Sequence, residues 1–194
     1  MTYTELKAQI ATWAKRTDLT TLIPGFIQQA ESRIGRALRV RQMEMALADT
    51  AINSAYEVAL PSGFLSLKAV WPTAYPATVI KPQPLSAVMA QGVRAGSPSM
   101  VAVTASALRF DGAGTVSGVY FGAIPALGDS VASNWLLAAH ADAYLFASLA
   151  ELCTYTQNGE ESAIWAARSD QVIKEIQQAD MRDRFSGALT AKKG

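Results

Sequence analysis

The longest helical pattern in the chain lies towards its C-terminal end, over residues 134–157. Apolar residues recur there every three or four positions and cover nearly the whole circumference. A helix of this kind is predicted to be buried among several neighbours. Ser133 or Asn134 is placed as its N-cap. Asn158 and Gly159 are placed to end it, since both residue types tolerate the left-handed conformation.

A second long helix is predicted for residues 160–184. Glu160 and Glu161 lie in its first turn, where carboxylates interact favourably with the positive end of the helix dipole. Its apolar stripe consists of Trp165, Ala166, Ser169, Val172, Ile173, Ile176 and Ala179. Because the return between the two helices is short, we expect them to pack as an antiparallel hairpin.

Two shorter helices are predicted at the N-terminal end, over residues 3–16 and 24–40. In the first, Leu6 and Trp13 lie on one apolar face. In the second, Pro24 suits the first turn, where its missing N–H is not needed.

The block from about residue 42 to residue 125 has a different pattern. Apolar and polar residues alternate, and prolines and glycines interrupt them, which is typical of β-structure. The predicted strands are residues 43–50, 56–60, 65–71, 77–80, 100–104, 107–110 and 115–121. Residues 84–91 have room for one or two helical turns, and the glycines of residues 110–115 predict a hairpin. Four aromatic residues of this block are open to either a core or an intersubunit role: Trp71, Tyr75, Tyr120 and Phe121.

The order of these elements predicts an α+β fold, because helices and strands are segregated into blocks and do not alternate. We expect one domain over residues 1–194. In it the N-terminal and C-terminal helix pairs touch and form an antiparallel bundle, with an antiparallel β block inserted between them. Residues 186–194 have no core pattern, so a mobile tail is predicted there.

Composition and charge restrict the classes of function. The chain has 194 residues, of which 50% are hydrophobic and 17% charged, and its net charge is +1. Bulk disorder is therefore excluded. A net charge near zero provides no overall field to attract nucleic acid or an acidic substrate. The apolar surplus instead suits extensive contact surfaces.

Compartment signals are few. The N-terminal residues have no apolar segment followed by small residues, so no export signal is expected. A single cysteine, Cys153, excludes an intrachain disulfide and suits a reducing cytoplasm. His140, Asp142 and Glu151 interrupt the longest apolar run, and their cost in lipid argues against a membrane span.

Candidate residues for catalysis are lacking. His140 is the only histidine and lies in the helix that is predicted to be buried, more than about 15 Å along the axis from Cys153. One histidine and one cysteine are too few for a zinc site. Gly112, Gly114 and Gly118 do not have the spacing of a nucleotide-binding loop. We expect no catalytic residue, no cofactor and no bound metal.

The one concentration of charge consists of Arg33, Arg36, Arg39 and Arg41. Four guanidinium groups within nine residues are a candidate contact for DNA phosphates or for the carboxylates of a partner. The simpler interpretation is a solvated helix face, with cations near the negative end of the helix dipole.

Three stretches of the chain carry a family resemblance. They are residues 3–6 with Trp13, residues 23–41, and residues 134–165. In these stretches, and in its order of helices, strand block and helices, the chain resembles the head-to-tail adaptor (connector) proteins of short-tailed bacteriophages, of the tail tubular protein A type. The strand block carries the least of this resemblance.

The resemblance implies a structural protein of the virion, made in the cytoplasm of the bacterial host. Copies of it would form a ring, typically of twelve, at the head–tail junction. The ring would bind the portal protein on one side and a tail or nozzle protein on the other, and the genome DNA would pass through its lumen without sequence-specific binding. By position, the tail of such a protein is a candidate portal contact, and here it contains Ser186, Leu189, Lys192 and Lys193.

Two other classes of function remain open from the sequence. A small hydrolase would need a carboxylate or His140 to line a cleft. A nucleic-acid-binding module would use the arginines from Arg33 to Arg41, and its binding would weaken as salt rises.

Overall fold

A computed structural model describes residues 1–185 of the chain. The predicted tail, residues 186–194, lies outside the described residues. Contacts divide the chain into two compact units. A helical unit consists of Met1–Gln42 together with the chain from Ile124 onward, and a β unit consists of Met43–Ala123. Helices and strands are segregated, so the predicted α+β class is confirmed.

The described residues of the helical unit form five helices. They are α1 (Tyr3–Ala14), α2 (Ile23–Ala37), α4 (Trp135–Ala139), α5 (Ala141–Tyr155) and α6 (Gly159–Arg184), and α3 (Leu85–Gln91) belongs to the β unit. No helix among residues 1–185 combines the length and the hydrophobicity that crossing a bilayer requires.

Side-chain caps fix where three of these helices begin. The Thr2 hydroxyl accepts a hydrogen bond from the Glu5 N–H, and the Glu5 carboxylate accepts one from the Thr2 N–H, which makes a capping box at α1. The Asn134 side chain accepts from the Leu137 N–H at 2.9 Å, so Asn134 is the cap of α4. Asn158 caps α6 in the same way.

Helix α5 is the centre of the helical unit and packs against α1, α2, α4 and α6. As its apolar pattern predicts, it is buried on most sides, and the buried residues are Ala143, Tyr144, Leu145, Ala147, Ser148, Leu149, Ala150, Leu152 and Cys153. Each large apolar side chain among them contributes about 1.5–3 kcal/mol to folding. The core of this unit is therefore assembled around α5.

Contacts between the N-terminal and C-terminal helices confirm the predicted bundle. Helices α1 and α2 both pack against α5. The Tyr3 N–H donates to the carbonyl of Ala132 at 2.6 Å, and Arg33 Nη2 lies 3.0 Å from Asp170 Oδ1. The N-terminal helices and helices α4 to α6 thus share one body.

The helix predicted over residues 134–157 is interrupted at His140. This residue has φ −138° and ψ 62°, which lies outside the helical region and separates α4 from α5. Asn134 Nδ2 donates to Tyr144 Oη and to the Pro125 carbonyl, both at 2.8 Å, and so fastens the start of α4 to α5 across the interruption. Periodicity alone misses the break because apolar residues continue on both sides of it.

Three helix ends also differ from the predicted ones. Helix α1 ends at Ala14 because Lys15 adopts a left-handed φ of 50°. Helix α2 ends at Ala37 because Leu38 is extended, with φ −87° and ψ 131°. After α5 the left-handed residue is Gln157, with φ 58°, and not one of the two residues that follow it.

Residues 43–123 form two sheets and one short helix. The strands are β1 (Glu44–Ala51), β2 (Glu57–Ala59), β3 (Phe64–Pro72), β4 (Lys81–Pro82), β5 (Met100–Val103), β6 (Ala107–Phe110) and β7 (Thr115–Gly122), and the helix is α3 (Leu85–Gln91). One sheet has the order β1-β7-β3 and the other β2-β6-β5-β4. All pairs are antiparallel except β4 with β5, which is parallel.

One apolar cluster joins the two sheets. Its buried residues are Leu47, Val58, Val70, Ile80, Val101, Leu108, Phe110, Val116 and Tyr120. Tyr120 is thus a core residue, whereas Tyr75 is 61% exposed. The sheets share a single core, and α3 packs against β5 and β6.

The strand predicted for residues 77–80 is wrong, because this segment follows consecutive turns. The Tyr75 N–H donates to the carbonyl of Pro72, and the Thr78 N–H donates to that of Tyr75, each at 2.9 Å. The chain pairs as a strand only from Lys81, after these turns.

The hairpin predicted for residues 110–115 is also wrong. Strands β6 and β7 belong to different sheets, so the segment between them carries the chain from one sheet to the other. Gly114, at φ 141°, adopts a conformation that favours glycine, and its carbonyl accepts from the Ile52 N–H at 2.8 Å. The glycines serve this crossing and not a tight turn.

Candidate functional site

Two of the four clustered arginines form ion pairs with α6. Arg33 lies 3.0 Å from Asp170, and Arg41 pairs with Asp180 and Asp183. These contacts join α2 and the segment after it to the last helix. The positive charges of Arg33 and Arg41 are therefore balanced by carboxylates within the helical unit.

The other two arginines differ from each other. Arg39 Nη1 donates to the carbonyls of Gly35 and Leu38 at 2.7 and 2.5 Å, which satisfies carbonyls at the C-terminal end of α2. Arg36 is exposed. Two of the four cations are thus paired with carboxylates and one with backbone carbonyls, and contact with DNA or a partner stays a prediction.

Asp180 is the buried centre of this ion-pair network. Its side chain is 5% exposed, and its carboxylate accepts from Arg184 Nε at 2.6 Å and from the Arg41 backbone N–H at 3.2 Å. Arg41 Nε lies 3.2 Å from the same carboxylate. A buried carboxylate with these donors fixes the segment after α2 against α6.

His140 and Cys153 do not form a reactive site. His140 lies at the break between α4 and α5, and Cys153 is buried about three and a half turns further along α5. Burial and the nearby carboxylate of Glu161 raise the pKa of the Cys153 thiol, which disfavours the thiolate. In the described part of the chain, no group of three or more His, Cys, Asp or Glu residues could hold a metal ion.

The glycines that superficially suggest a nucleotide loop have structural roles in the β unit. A Cβ atom on Gly118 would lie 2.5 Å from the carbonyl oxygen of Ala69, so only glycine permits the approach of β7 to β3. Gly112 passes close to the carbonyl of Gly96.

Asp111 is the most deeply buried carboxylate of the β unit, at 2% exposed. Its Oδ2 accepts from the Ser99 hydroxyl at 2.6 Å, and its Oδ1 accepts from the N–H groups of Ser99 and Met100 at 2.8 and 3.0 Å. Burial alone raises the pKa of Asp111, but these hydrogen bonds outweigh it and hold the pKa below its ordinary value. The contacts indicate that the carboxylate stabilises a loop.

An aromatic cluster of Trp13, Phe146 and Trp165 lies on the surface of the helical unit. The ring centroids of Trp13 and Trp165 are 5.6 Å apart in an edge-to-face arrangement, and those of Phe146 and Trp165 are 5.6 Å apart and stacked. Trp13 is 44% exposed. The Arg168 guanidinium carbon lies 5.0 Å from the Trp165 ring centroid.

The aromatic cluster borders a cleft of about 440 Å³ between the ends of α1, α5 and α6. Sequence reasoning assigned Trp13 and Trp165 to separate apolar stripes and missed that they meet. The sequence feature that comes nearest to indicating this cluster is the spacing of Trp165 and Arg168, which lie three positions apart on the same helix.

A second apolar surface lies on the β unit. Leu85, Met89 and Val93 follow one another at four-residue spacing, and they are 46%, 57% and 61% exposed. We call these three residues the α3 stripe, because they run along the exposed face of that helix and just beyond its end. Residues 82–93 around the stripe contain no charged side chain.

The fold and these surfaces define an α+β protein whose most distinctive features are contact surfaces. The chain belongs to the SU10 adaptor protein family, whose family model matches residues 1–192. This is a family of phage head–tail adaptors, so the resemblance read from the sequence is confirmed. A search of curated proteins found no match. Membership implies a structural component of the virion at the head–tail junction, which interacts with other virion proteins.

Proposed function

We propose that this adaptor assembles into a closed ring, of about twelve copies, that joins the portal to the tail. The observation that carries the proposal is the family match over residues 1–192. The ring would bind the portal protein on one side and a tail or nozzle protein on the other. It would act without catalysis, as a connector through which the genome passes.

The distribution of exposed apolar side chains supports self-assembly. A ring requires two different patches on each copy, because its interfaces are heterologous. The α3 stripe offers one apolar patch on the β unit. On the helical unit Leu22, Tyr155 and Met181 are 39%, 58% and 59% exposed. Exposed apolar area of this kind is typical of interaction surfaces.

The charge distribution supports passage of DNA without tight binding. Affinity for DNA depends strongly on the number of phosphates that lysine and arginine neutralise. The net charge is +1, and Arg33 and Arg41 are paired with carboxylates of the same unit. A lumen built from such copies would guide DNA and let it move.

The remaining part of the proposal concerns the C-terminal end. Residues 186–194 lie outside the described residues, and by position they are a candidate portal contact that contains Ser186, Leu189, Lys192 and Lys193. We keep this as a proposal. Its test is a chain truncated after Phe185, which should still form rings but bind the portal more weakly.

Assembly itself is tested with the purified full chain. Light scattering and negative-stain electron microscopy, with and without the purified portal protein, should show rings. A matched pair of variants adds a test of the α3 stripe: Met89→Lys should weaken assembly, whereas Gln91→Lys on the same short helix should not. A chain that stays monomeric under all of these conditions would contradict the proposal.

A further inference from the structure

The cleft beside the aromatic cluster combines an apolar floor with a charged rim. Leu149 and Leu152 are buried in α5 and line the floor, and Ile164, which is 49% exposed, lines the side formed by α6. The wall is made by Trp13 and Trp165. An apolar side chain that entered the cleft would therefore be removed from water on several sides.

The charged groups of the rim are mostly cations. Lys15, Arg16 and Arg168 line the cleft, against one carboxylate, that of Glu161. Arg16 is neutralised by Asp18, to which it donates from Nε at 2.7 Å and from Nη2 at 2.6 Å. The remaining charged groups of the cleft are two cations, Lys15 and Arg168, and one anion, Glu161.

Lys15 and Arg168 have no carboxylate partner among the described residues. Lys15 occupies the left-handed cap position after α1, which directs the chain away from the helix at the rim. Arg168 is held in place by the Trp165 ring, with Phe146 also within 6.0 Å of its guanidinium carbon. A guanidinium that is already ordered loses less entropy when it binds a carboxylate.

We propose that this cleft binds an acidic peptide segment of a partner protein, which places an apolar side chain on the floor and carboxylates against Lys15 and Arg168. The excess of cations at the rim favours an acidic segment over a basic one, and the apolar floor favours a segment that carries an apolar side chain. The inference goes beyond ring formation, since it requires only one folded helical unit.

Single-stranded nucleic acid fits the same cleft less well. Stacking of bases requires free aromatic faces. Here Phe146 and Trp165 already stack on each other, and the edge-to-face contact of Trp13 involves the same Trp165 ring. A peptide is therefore the occupant that the geometry favours.

The test uses three labelled pentapeptides with the full-length chain. The probes are acetyl-Asp-Glu-Leu-Glu-Asp-amide, its counterpart with Lys at the four charged positions, and its counterpart with Asn and Gln. Fluorescence anisotropy gives the affinities. In protein labelled with 5-fluorotryptophan, the ¹⁹F signals of Trp13 and Trp165 should move on binding, while those of Trp71 and Trp135 stay in place.

Variants of exposed side chains separate this cleft from general charge attraction. Arg168→Gln and Lys15→Gln should each weaken binding of the acidic peptide about threefold. Lys174→Gln removes one positive charge from the same helix as Arg168, outside the cleft, and should leave binding unchanged. Thermal unfolding of all three variants checks that the fold is retained.

The proposal is overturned by any of four outcomes. They are equal binding of the three peptides, absence of binding at millimolar concentration, weakening by Lys174→Gln as large as that by Arg168→Gln, and ¹⁹F shifts confined to Trp71 or Trp135. An oligothymidylate that displaced the acidic peptide and bound more tightly would assign the cleft to nucleic acid instead. None of these outcomes depends on whether the chain forms a ring.

Discussion

Replacement of Asp180 by alanine should destabilise the helical unit more than any other single loss of charge described above. The side chain of Asp180 is 5% exposed and receives three donors, namely the Arg41 backbone N–H, Arg41 Nε and Arg184 Nε. Removal of the carboxylate leaves the backbone N–H without its partner and weakens the attachment of the segment after α2 to α6, where Arg41 still pairs with Asp183.

The magnitude follows from the exposure of each partner. The lost backbone hydrogen bond costs about 1–1.5 kcal/mol. Arg41 is 43% exposed and can be solvated again, so its ion pair with Asp180 contributes about 0.5–1 kcal/mol. The pair with Arg184, four residues along the helix, adds about 0.5 kcal/mol. The higher helix propensity of alanine returns up to about 0.5 kcal/mol. We expect a net loss of about 2 kcal/mol, or a fall in Tm of about 4–8 °C.

The assay is urea unfolding followed by tryptophan fluorescence in a Trp71→Phe background. Trp13, Trp135 and Trp165 belong to the helical unit, so the signal then reports on that unit alone. The matched control is Asp170→Ala, which removes an ion pair whose carboxylate is 53% exposed, and its effect should stay within about 0.5 kcal/mol. The reasoning is refuted if Asp180→Ala lowers the free energy of unfolding by no more than Asp170→Ala does.

Three further predictions concern one half-buried residue, Glu31, and two buried ones, Asp111 and Gly118. Burial raises the pKa of Glu31 above its ordinary 4.5, although its carboxylate accepts from the Leu127 N–H at 2.7 Å. The stability that comes from the neutral carboxyl is present below pH 4.5 and is lost as the pH rises through the raised pKa. Glu31→Gln should therefore match or exceed the wild-type free energy of unfolding at pH 7. A clearly lower free energy of unfolding at that pH would contradict this prediction. The lowered pKa of Asp111 acts in the opposite direction. The stability that comes from its ionised carboxylate is present above its ordinary pKa of 3.8 and is lost as the pH falls through the lowered pKa. Asp111→Asn should therefore lower the free energy of unfolding by about 1–2 kcal/mol at pH 7 and flatten the acid limb of a stability–pH profile. Gly118→Ala should destabilise the β unit by at least about 2 kcal/mol, because the added Cβ would lie 2.5 Å from the Ala69 carbonyl oxygen. Urea unfolding followed by Trp71 fluorescence measures the effect. An unchanged urea midpoint would show that the strands can separate without cost.

The helices could be predicted from the sequence because their information is local. The three- and four-residue spacing of apolar side chains locates α5 and α6, and Asn134 and Asn158 mark where helices begin. The break at His140 could not be predicted in this way. It is accompanied by the contact of Asn134 with Tyr144 and Pro125, which brings together residues of different segments.

The pairing of strands is a tertiary property, and the sequence reveals less of it. Strand β7 pairs with β1 and β3, which are distant from it in the chain. The glycines before β7 therefore indicate a hairpin locally, whereas the chain crosses there from one sheet to the other, and Asp111 fastens the start of the crossing to Ser99 and Met100. The alternation of apolar and polar residues predicts where strands lie, but it does not predict which strands pair.

The same limit applies to the cleft. Trp13 and Trp165 lie more than a hundred residues apart in the chain, and each fits an ordinary apolar stripe. Only the packing of α1 and α6 against α5 brings them together beside Arg168. The arginines show the converse, because their spacing suggests a cationic face while Asp170 and Asp180 draw two of them into the helical unit.

The central claim is that this chain works as a connector through contacts between its own copies. Cryo-electron microscopy of the head–tail junction, in virions assembled with this chain, tests it most directly. The account predicts a closed ring of density below the portal, into whose repeating unit the helical unit and the β unit each fit. A junction in which portal and tail meet without such a ring, or one in which single separate copies of the chain occupy it, would contradict the account.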